Sequence, residues 1–165
     1  MPLQRIGTIS GSALAFVTTT VADWNPVFAS SEAADEVARQ LEEAARLFNV
    51  AIMGYVIMPT HVHALLGFPD ITILSKFMQS FKSLTARRIR QLKEEKSGTL
   101  WMRRFDDVIV YSEEQFRTKL EYIHNNPVKT GHAGSPTGWP YSSARDWLLN
   151  ERGLVKITKS WGWMR

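Results

Sequence analysis

The sequence contains no cysteine among its 165 residues. This absence excludes disulfide bonds, thiolate metal ligands and cysteine nucleophiles, and it fits a reducing compartment. No apolar run approaches the roughly 20 residues that a membrane-spanning helix needs. The N-terminal stretch "MPLQRIGTISGSALAF" has one early arginine and a broken apolar patch, which is not the pattern of a secretory signal. We therefore expect a cytoplasmic protein without a membrane partner.

The remaining composition suits a single folded domain. Hydrophobic residues make up 44% of the chain and aromatic residues 11%, so one core can form without covalent links. The formal net charge is +4 and the isoelectric point is about 9.5, which is compatible with a polyanionic partner but does not establish one. We expect one domain over residues 1–165, with a loop-rich extension from about residue 128.

Hydrophobic periodicity predicts an alternation of strands and helices. A Ser112–Gln115 capping-box pattern opens the third long helix, and the proline of "NNP" is expected to end it at residues 125–126. The predicted strands cover residues 13–24, 50–58, 61–68 and 103–111, and the predicted helices cover residues 31–48, 73–93, 112–126 and about 142–149. This order predicts an α+β fold, a ferredoxin-like antiparallel sheet with packed helices.

Two of the four histidines lie one residue apart in the stretch "PTHVHALL" at residues 59–66. Side chains alternate between the faces of a strand, so His61 and His63 point the same way, about 6.5–7 Å apart at Cα. Two imidazoles at this spacing can lean toward one metal ion. Taken alone, the pair is better explained as two surface histidines on the solvated face of a half-buried strand.

The stretch "FRTKLEYIHNNP" at residues 116–127 is the candidate partner of the histidine pair. Phe116, Leu120 and Ile123 form an apolar stripe at helical spacing. Tyr122 lies away from this stripe, and Asn126, four residues later, lies over nearly the same line of the helix. The alternative is a boundary tyrosine whose ring is half-packed and whose hydroxyl is in water.

Taken together, these segments resemble a known family. The stretches "YVIMPTHVHALL" and "LEYIHNNPVKTG" are similar to the HUH single-tyrosine transposases, in particular the REP-associated tyrosine transposases and their insertion-sequence relatives. The similarity extends to "FKSLTARRI", "LWMRRFDDVIV" and "GWPYSSARDW", and it covers about residues 53–147.

The resemblance implies a metal-dependent DNA transposase that nicks and rejoins single-stranded or hairpin DNA. His61, His63 and Asn126 would hold a divalent ion, Mg²⁺ or Mn²⁺, with Asn125 or water as the alternative to Asn126. Tyr122 would attack a phosphodiester and form a 5′-phosphotyrosine intermediate. The resemblance also implies a nucleoid-associated protein, and it allows either a monomer or a homodimer.

Several basic residues lie in the sequence between the histidine pair and Tyr122. Lys76, Lys82, Arg87 and Arg90 on the second long helix, with Arg103 and Arg104 after it, are candidates for binding the DNA backbone. The alternative for the helix is an ordinary solvated face. Asp106 and Asp107 could reach the metal ion, but we expect ion pairs with the neighbouring arginines.

Two other functions stay open at this point. The chain could be a hairpin-DNA-binding module of the same fold whose catalysis has lapsed. It could also be a metal-dependent phosphoesterase in which water is the nucleophile. The phosphoesterase predicts that Tyr122→Phe keeps activity, whereas the transposase predicts that cleavage is lost and DNA binding is kept.

Overall fold

The computed structural model describes residues 11–95 and 98–161. Its main elements follow the predicted order of strands and helices closely. They are β1 (Ala13–Thr20), α1 (Ser31–Phe48), β2 (Ala51–Ile57), β3 (His61–Phe68), α2 (Leu74–Leu92), β4 (Asp106–Val110), α3 (Glu113–Lys129) and α4 (Ala144–Leu148). The first ten and the last four residues, part of the predicted single domain, lie outside the described residues.

The strands form a four-stranded sheet in the order β2-β3-β1-β4. Every neighbouring pair is antiparallel. Each of the two strand–helix–strand units therefore encloses one strand of the other unit, which is the split βαβ arrangement of the ferredoxin-like fold. The predicted α+β class is confirmed.

The two faces of the sheet carry separate apolar clusters because side chains alternate along each strand. On one face, residues such as Val62 and Leu66 of β3 pack with buried residues of α1 and α2. On the other face, Leu65 packs with Phe116 and Ile123 of α3. His61 and His63 share the parity of Leu65, so both rings lie on the α3 face.

Local sequence signals set the limits of α1. Ser30 accepts a hydrogen bond from the Ala33 amide and caps the first turn. Asn49 adopts the left-handed conformation, with φ of 54°, and ends the helix. The helix spans the predicted residues 31–48, so this prediction is confirmed.

The prediction that α3 ends at residues 125–126 is wrong, because the helix continues through Pro127 to Lys129. Proline removes one backbone donor, but its fixed φ is compatible with a helix. The following turn is closed by bonds from Thr130 to the Asn126 carbonyl and from His132 to the Pro127 carbonyl. At its start, the Ser112 side chain accepts a hydrogen bond from the Gln115 amide, as the capping pattern predicts.

β1 is also shorter than predicted, because the chain leaves the sheet at Thr20 and forms a 3₁₀ turn at Ala22–Trp24. Asp23 and Trp24 both have positive φ, 58° and 54°, which is incompatible with an extended strand. Likewise, β4 begins at Asp106, so Arg103 belongs to the preceding loop.

The segment after α3 covers the outer edge of β2. Backbone amides of Ser143 and Thr158 donate to the carbonyls of Tyr55 and Ile52 at 3.0 and 2.8 Å. Trp147 donates its indole N–H to the Met53 carbonyl at 2.7 Å. These bonds satisfy groups that an edge strand would otherwise expose. Within the described residues, none of the helices is long and apolar enough to cross a membrane.

Candidate active site on the α3 face of the sheet

The two histidines of β3 lie side by side on the α3 face. The centroids of the His61 and His63 rings are 4.7 Å apart, and the ring planes are inclined by 73°. Phe16 of β1 stacks on His63 with ring centroids 5.4 Å apart. The pair is therefore half in the core and half at the surface: His63 is buried, while His61 is partly exposed.

Tyr122 of α3 lies directly beside this pair. Its ring is 5.4 Å from His63 and 6.1 Å from Phe16, edge-on to both. The apolar stripe of α3, including Phe116 and Ile123, is buried against the sheet, as predicted. Tyr122 itself is 45% exposed, so its ring borders the histidines and remains accessible from solvent.

Asn126 lies one turn after Tyr122 and is buried. Its side chain lies close enough to His61 to act on that ring as a hydrogen-bonding neighbour. Nevertheless, the amide oxygen Oδ1 is buried and makes no well-formed hydrogen bond with any described residue. A buried acceptor without a donor carries a desolvation cost, so this oxygen is suited to a ligand that is not part of the chain.

Each histidine ring has a threonine hydroxyl close to its Nδ1 atom. Thr18 Oγ1 lies 2.7 Å from Nδ1 of His63, and Thr60 Oγ1 lies 2.9 Å from Nδ1 of His61. Thr18 reaches His63 because the β1–β3 register places these residues opposite each other. Thr60 precedes His61 in the β2–β3 turn.

Burial keeps both imidazoles neutral at physiological pH. It lowers the pKa of His63 to about 3, with smaller contributions from His61 and the positive charge of Lys119. Burial also lowers the pKa of His61, and the neighbouring Asn126 amide opposes that shift. A neutral imidazole has a lone pair that can bind a metal ion.

The atoms of the site that could bind a metal ion are imidazole nitrogens and an amide oxygen. The part of the chain that the structure describes has no group of three His, Cys, Asp or Glu residues that could hold a metal ion. The side chains near Tyr122 that could do so are the imidazoles of His61 and His63 and the amide oxygen of Asn126.

The predicted DNA-binding cations do not all gather at this site. Helix α2, which carries four of them, covers the opposite face of the sheet. Lys76 and Arg87 are exposed there, whereas Arg90 is partly buried and donates to the Gly98 carbonyl at 3.3 Å. Their role in binding DNA stays a prediction.

Lys82, also predicted to bind the DNA backbone, is only partly exposed. Its Nζ donates to the carbonyls of Met102 and Arg103 at 2.9 and 3.3 Å, and burial lowers its pKa. It therefore ties α2 to the loop that carries Arg103 and Arg104, both of which are exposed.

The expected ion pairs of the two aspartates are not formed. Among the described residues, the salt bridges join Arg39 with Glu36, Arg46 with Glu43 and Arg117 with Glu113, and none involves Asp106 or Asp107. Burial and the neighbouring Asp106 raise the pKa of Asp107.

Sequence reasoning missed four residues around the site, among them Thr60, which contacts His61. Thr18 and Phe16 depend on the register of β1 against β3, which no local pattern reveals. Lys119 is three residues before Tyr122 on α3, and its Nζ lies 4.9 Å from the centre of the Phe16 ring. Helical spacing could have indicated that Lys119 and Tyr122 are neighbours.

Comparison with known proteins identifies the family. The sequence model described as IS200-like transposase matches residues 16–126, which include both histidines and Tyr122. The chain belongs to this family of transposases. The family predicted from the sequence, the single-tyrosine transposases, is confirmed.

Individual relatives agree with this assignment. A Haemophilus influenzae protein named as a REP-associated tyrosine transposase is 31% identical over 97 residues, 53% of this chain and 54% of that protein. The REP-associated tyrosine transposase of Escherichia coli K12 is 28% identical over 94 residues, 56% of this chain and 53% of that protein. The matched region thus spans about half the length of each relative.

A solved structure supports the fold. The structure of a REP-associated tyrosine transposase bound to a REP hairpin aligns with a TM-score of 0.72 and 19% sequence identity. The alignment covers 94% of this chain and 92% of the other.

Proposed function

We propose that this protein is a divalent-metal-dependent transposase that cleaves and rejoins single-stranded, hairpin-containing DNA through Tyr122. The observation that carries the proposal is the convergence of four side chains from two elements. Tyr122 borders His63 at 5.4 Å between ring centroids, and Asn126 places a buried, unpaired oxygen beside His61.

The residues fit a divalent ion such as Mg²⁺ or Mn²⁺. His61 and His63 would each supply a neutral imidazole nitrogen, and Asn126 would supply the amide oxygen that the protein leaves unpaired. None of these ligands carries a negative charge. A bound ion would withdraw charge from the scissile phosphate and orient it.

Tyr122 would provide the nucleophile. A phenol has a pKa of about 10 and is a weak nucleophile at neutral pH, so it needs an activated phosphate. Its Oη would form a bond to phosphorus as the bond from phosphorus to the 3′ oxygen breaks. The phenolic proton is lost to solvent and the 3′ oxygen gains one, leaving a 5′-phosphotyrosine and a free 3′-OH. Attack by another 3′-OH reverses these steps and joins two strands without ATP.

A hairpin substrate is favoured by the relatives of the chain, and the surface of the site is compatible with DNA. The structural relative is bound to a REP hairpin, and the two curated relatives are named for REP association. The exposure of Tyr122 allows a DNA backbone to approach the ring from solvent. The exposed Arg103 and Arg104 would add electrostatic attraction for phosphates.

The deciding experiment is a search for a covalent adduct. The purified protein is incubated with labelled hairpin DNA and Mn²⁺, then denatured and separated by electrophoresis. We expect a labelled protein band that disappears with a chelator and in Tyr122→Phe. The matched control is Tyr111→Phe, because Tyr111 is an exposed tyrosine that precedes α3. Failure to form an adduct on any hairpin from the source genome would refute the proposal.

The same assay separates the alternatives. A phosphoesterase with a water nucleophile would cleave DNA in Tyr122→Phe without a covalent band. A lapsed binding module would shift hairpin DNA in a gel and cleave nothing in the wild type. The presence of all four expected side chains at one site favours the active enzyme over the lapsed module.

Two finer expectations concern assembly and location. A DNA substrate implies association with the nucleoid, and the resemblance allows a homodimer. Light scattering of the purified chain, alone and with hairpin DNA, measures the number of subunits directly.

A further inference from the structure

We propose that Thr18 and Thr60 are positioning residues that keep the proton of each site histidine on Nδ1. This leaves Nε2 of His61 and His63 as the nitrogen that binds the metal ion. The inference rests on the proposed function only in assuming that the site binds a divalent metal ion. The hydroxyl contacts themselves belong to the protein without metal.

The first argument is the pattern of contacts. Both hydroxyls approach Nδ1, at 2.7 and 2.9 Å, although they come from different elements, β1 and the β2–β3 turn. A nitrogen that carries a proton cannot bind a metal ion. If each Nδ1–H donates to its threonine oxygen, both rings present the same unprotonated atom, Nε2.

The second argument is the unpaired amide of Asn126. The Asn126 side chain neighbours His61, and a proton on Nε2 of His61 could donate to its oxygen Oδ1. That oxygen accepts no well-formed hydrogen bond from the described residues. With the proton on Nδ1, an imidazole lone pair of His61 and an amide lone pair of Asn126 would lie beside each other, as two ligands of one ion require.

The third argument is the specificity of the pairing. Thr20 lies opposite His61 in the β1–β3 register, just as Thr18 lies opposite His63. His61 nevertheless pairs with Thr60. Thr20→Val therefore removes a hydroxyl from the same strand and face without removing a contact to either ring, and it is the matched control.

The test uses nitrogen NMR of the metal-free protein with ¹⁵N-labelled histidine, above the ordinary histidine pKa. We expect His61 and His63 to show protonated Nδ1 and bare Nε2. In Thr18→Val the His63 signals should move toward the opposite tautomer, and Thr60→Val should do the same for His61. Serine at either position should restore the original pattern.

A second readout is Mn²⁺ affinity without DNA. Loss of one outer contact to a metal-binding histidine typically weakens binding by about 10–100-fold. We expect this loss in each valine variant and near-normal affinity in Thr20→Val. Circular dichroism identifies any variant that fails to fold.

The inference is overturned if the wild-type rings carry their protons on Nε2, or if both valine variants bind Mn²⁺ as the wild type does. Neither readout requires cleavage or Tyr122. Failure of this inference is therefore distinguishable from failure of the adduct assay.

A different observation supports a second inference, at the turn that follows β1. The geometry points to Trp24 as a stacking platform for an unpaired base of the DNA. The indole is 62% exposed, and Asp23 and Trp24 hold two consecutive left-handed conformations. Such conformations are rare outside glycine, and they are concentrated at functional sites.

The position of Trp24 fits this role. The inference rests on the proposed function, because it assumes that the substrate is DNA. The turn is bonded on both sides to segments at the histidine end of the sheet. Val21 donates to the Thr60 carbonyl and Ala22 to the Leu100 carbonyl, each at 2.8 Å. An exposed indole offers a flat face on which an unpaired base can stack, and such stacking is largely independent of base sequence.

The test measures binding of a hairpin with single-stranded flanks by Tyr122→Phe protein in a chelator, so that cleavage plays no part. We expect Trp24→Ala to bind about fivefold or more weakly. Trp24→Phe should retain most of the affinity. Leu47→Ala is the control, because Leu47 is exposed at the end of α1 that precedes β2, at the opposite end of the sheet. Unchanged binding in Trp24→Ala, or equal losses in the alanine and phenylalanine variants, would overturn the inference.

Discussion

Gly67 provides a sharp test of how the C-terminal segment packs on the site-bearing face. It lies on β3 in the same row as His61, His63 and Leu65. A Cβ atom built on Gly67 would lie 2.4 Å from Cζ3 of Trp161 and 2.9 Å from Cε3. Ordinary carbon contacts are about 3.5–4.0 Å, so Gly67→Ala requires a shift of about 1 Å or more.

The strand cannot supply this shift, because Gly67 is paired with Ala51 on one side and Leu14 on the other. The Trp161 ring must move instead and lose part of its packing. We expect Gly67→Ala to lower the free energy of unfolding by about 1–3 kcal/mol. In Trp161→Ala protein the same change should no longer destabilise and should raise the free energy of unfolding by up to about 1 kcal/mol, because alanine is favoured over glycine in a strand by about 0.5–1 kcal/mol.

Urea unfolding of the four proteins in this double-mutant cycle gives the coupling energy. Gly134→Ala is the control, because a Cβ there meets no atom within 4 Å and its φ is not positive. We expect the control to change stability by less than about 0.5 kcal/mol. An equal cost of Gly67→Ala with and without the Trp161 ring would refute the packing argument.

Three further predictions concern single side chains. Lys119→Met should slow adduct formation about tenfold at low salt without changing the melting temperature, because it removes a positive charge held over Phe16 beside the site. Thr85→Val should destabilise the protein by about 1–3 kcal/mol in urea unfolding, because the buried Trp101 indole N–H loses its acceptor at 2.8 Å. Burial raises the pKa of Tyr55, so the tyrosine ionises in the unfolded chain before it does in the folded protein, and the free energy of unfolding falls above pH 10. Tyr55→Phe should remove about 1.4 kcal/mol of this loss per pH unit, as measured by unfolding at alkaline pH.

Each of these predictions has a clear contrary result. An unchanged adduct rate in the lysine variant would place its charge outside the reaction. A valine variant as stable as the wild type would show that the indole finds another acceptor. Identical alkaline unfolding curves with and without the Tyr55 hydroxyl would show that another group controls stability there.

Elements with strong local signals were predicted well. Helix α1 and strand β3 have the predicted limits, since helical spacing with a serine cap, and a short apolar run after a turn, leave few alternatives. The errors fall where two local rules compete. Pro127 disfavours a helix at the preceding residue, yet α3 continues because Asn126 and Pro127 are buried and the next turn is closed by backbone bonds.

The end of β1 illustrates a second kind of error. The composition of residues 13–24 favours a strand throughout, but Asp23 and Trp24 adopt left-handed conformations. Backbone bonds from Val21 and Ala22 to the Thr60 and Leu100 carbonyls hold this turn in place. Those partners are distant in sequence, so the local pattern contains no information about them.

By itself, the sequence determined that His61 and His63 share one face of a strand, because alternation is a property of the strand alone. It also determined the family, because the histidine pair and the tyrosine helix occur together at a characteristic spacing. Only the tertiary structure decided that Tyr122 and Asn126 meet that pair, since this depends on how α3 packs on the sheet. It likewise decided that Thr18 reaches His63, because strand register is a long-range property, set by the packing of both faces of the sheet.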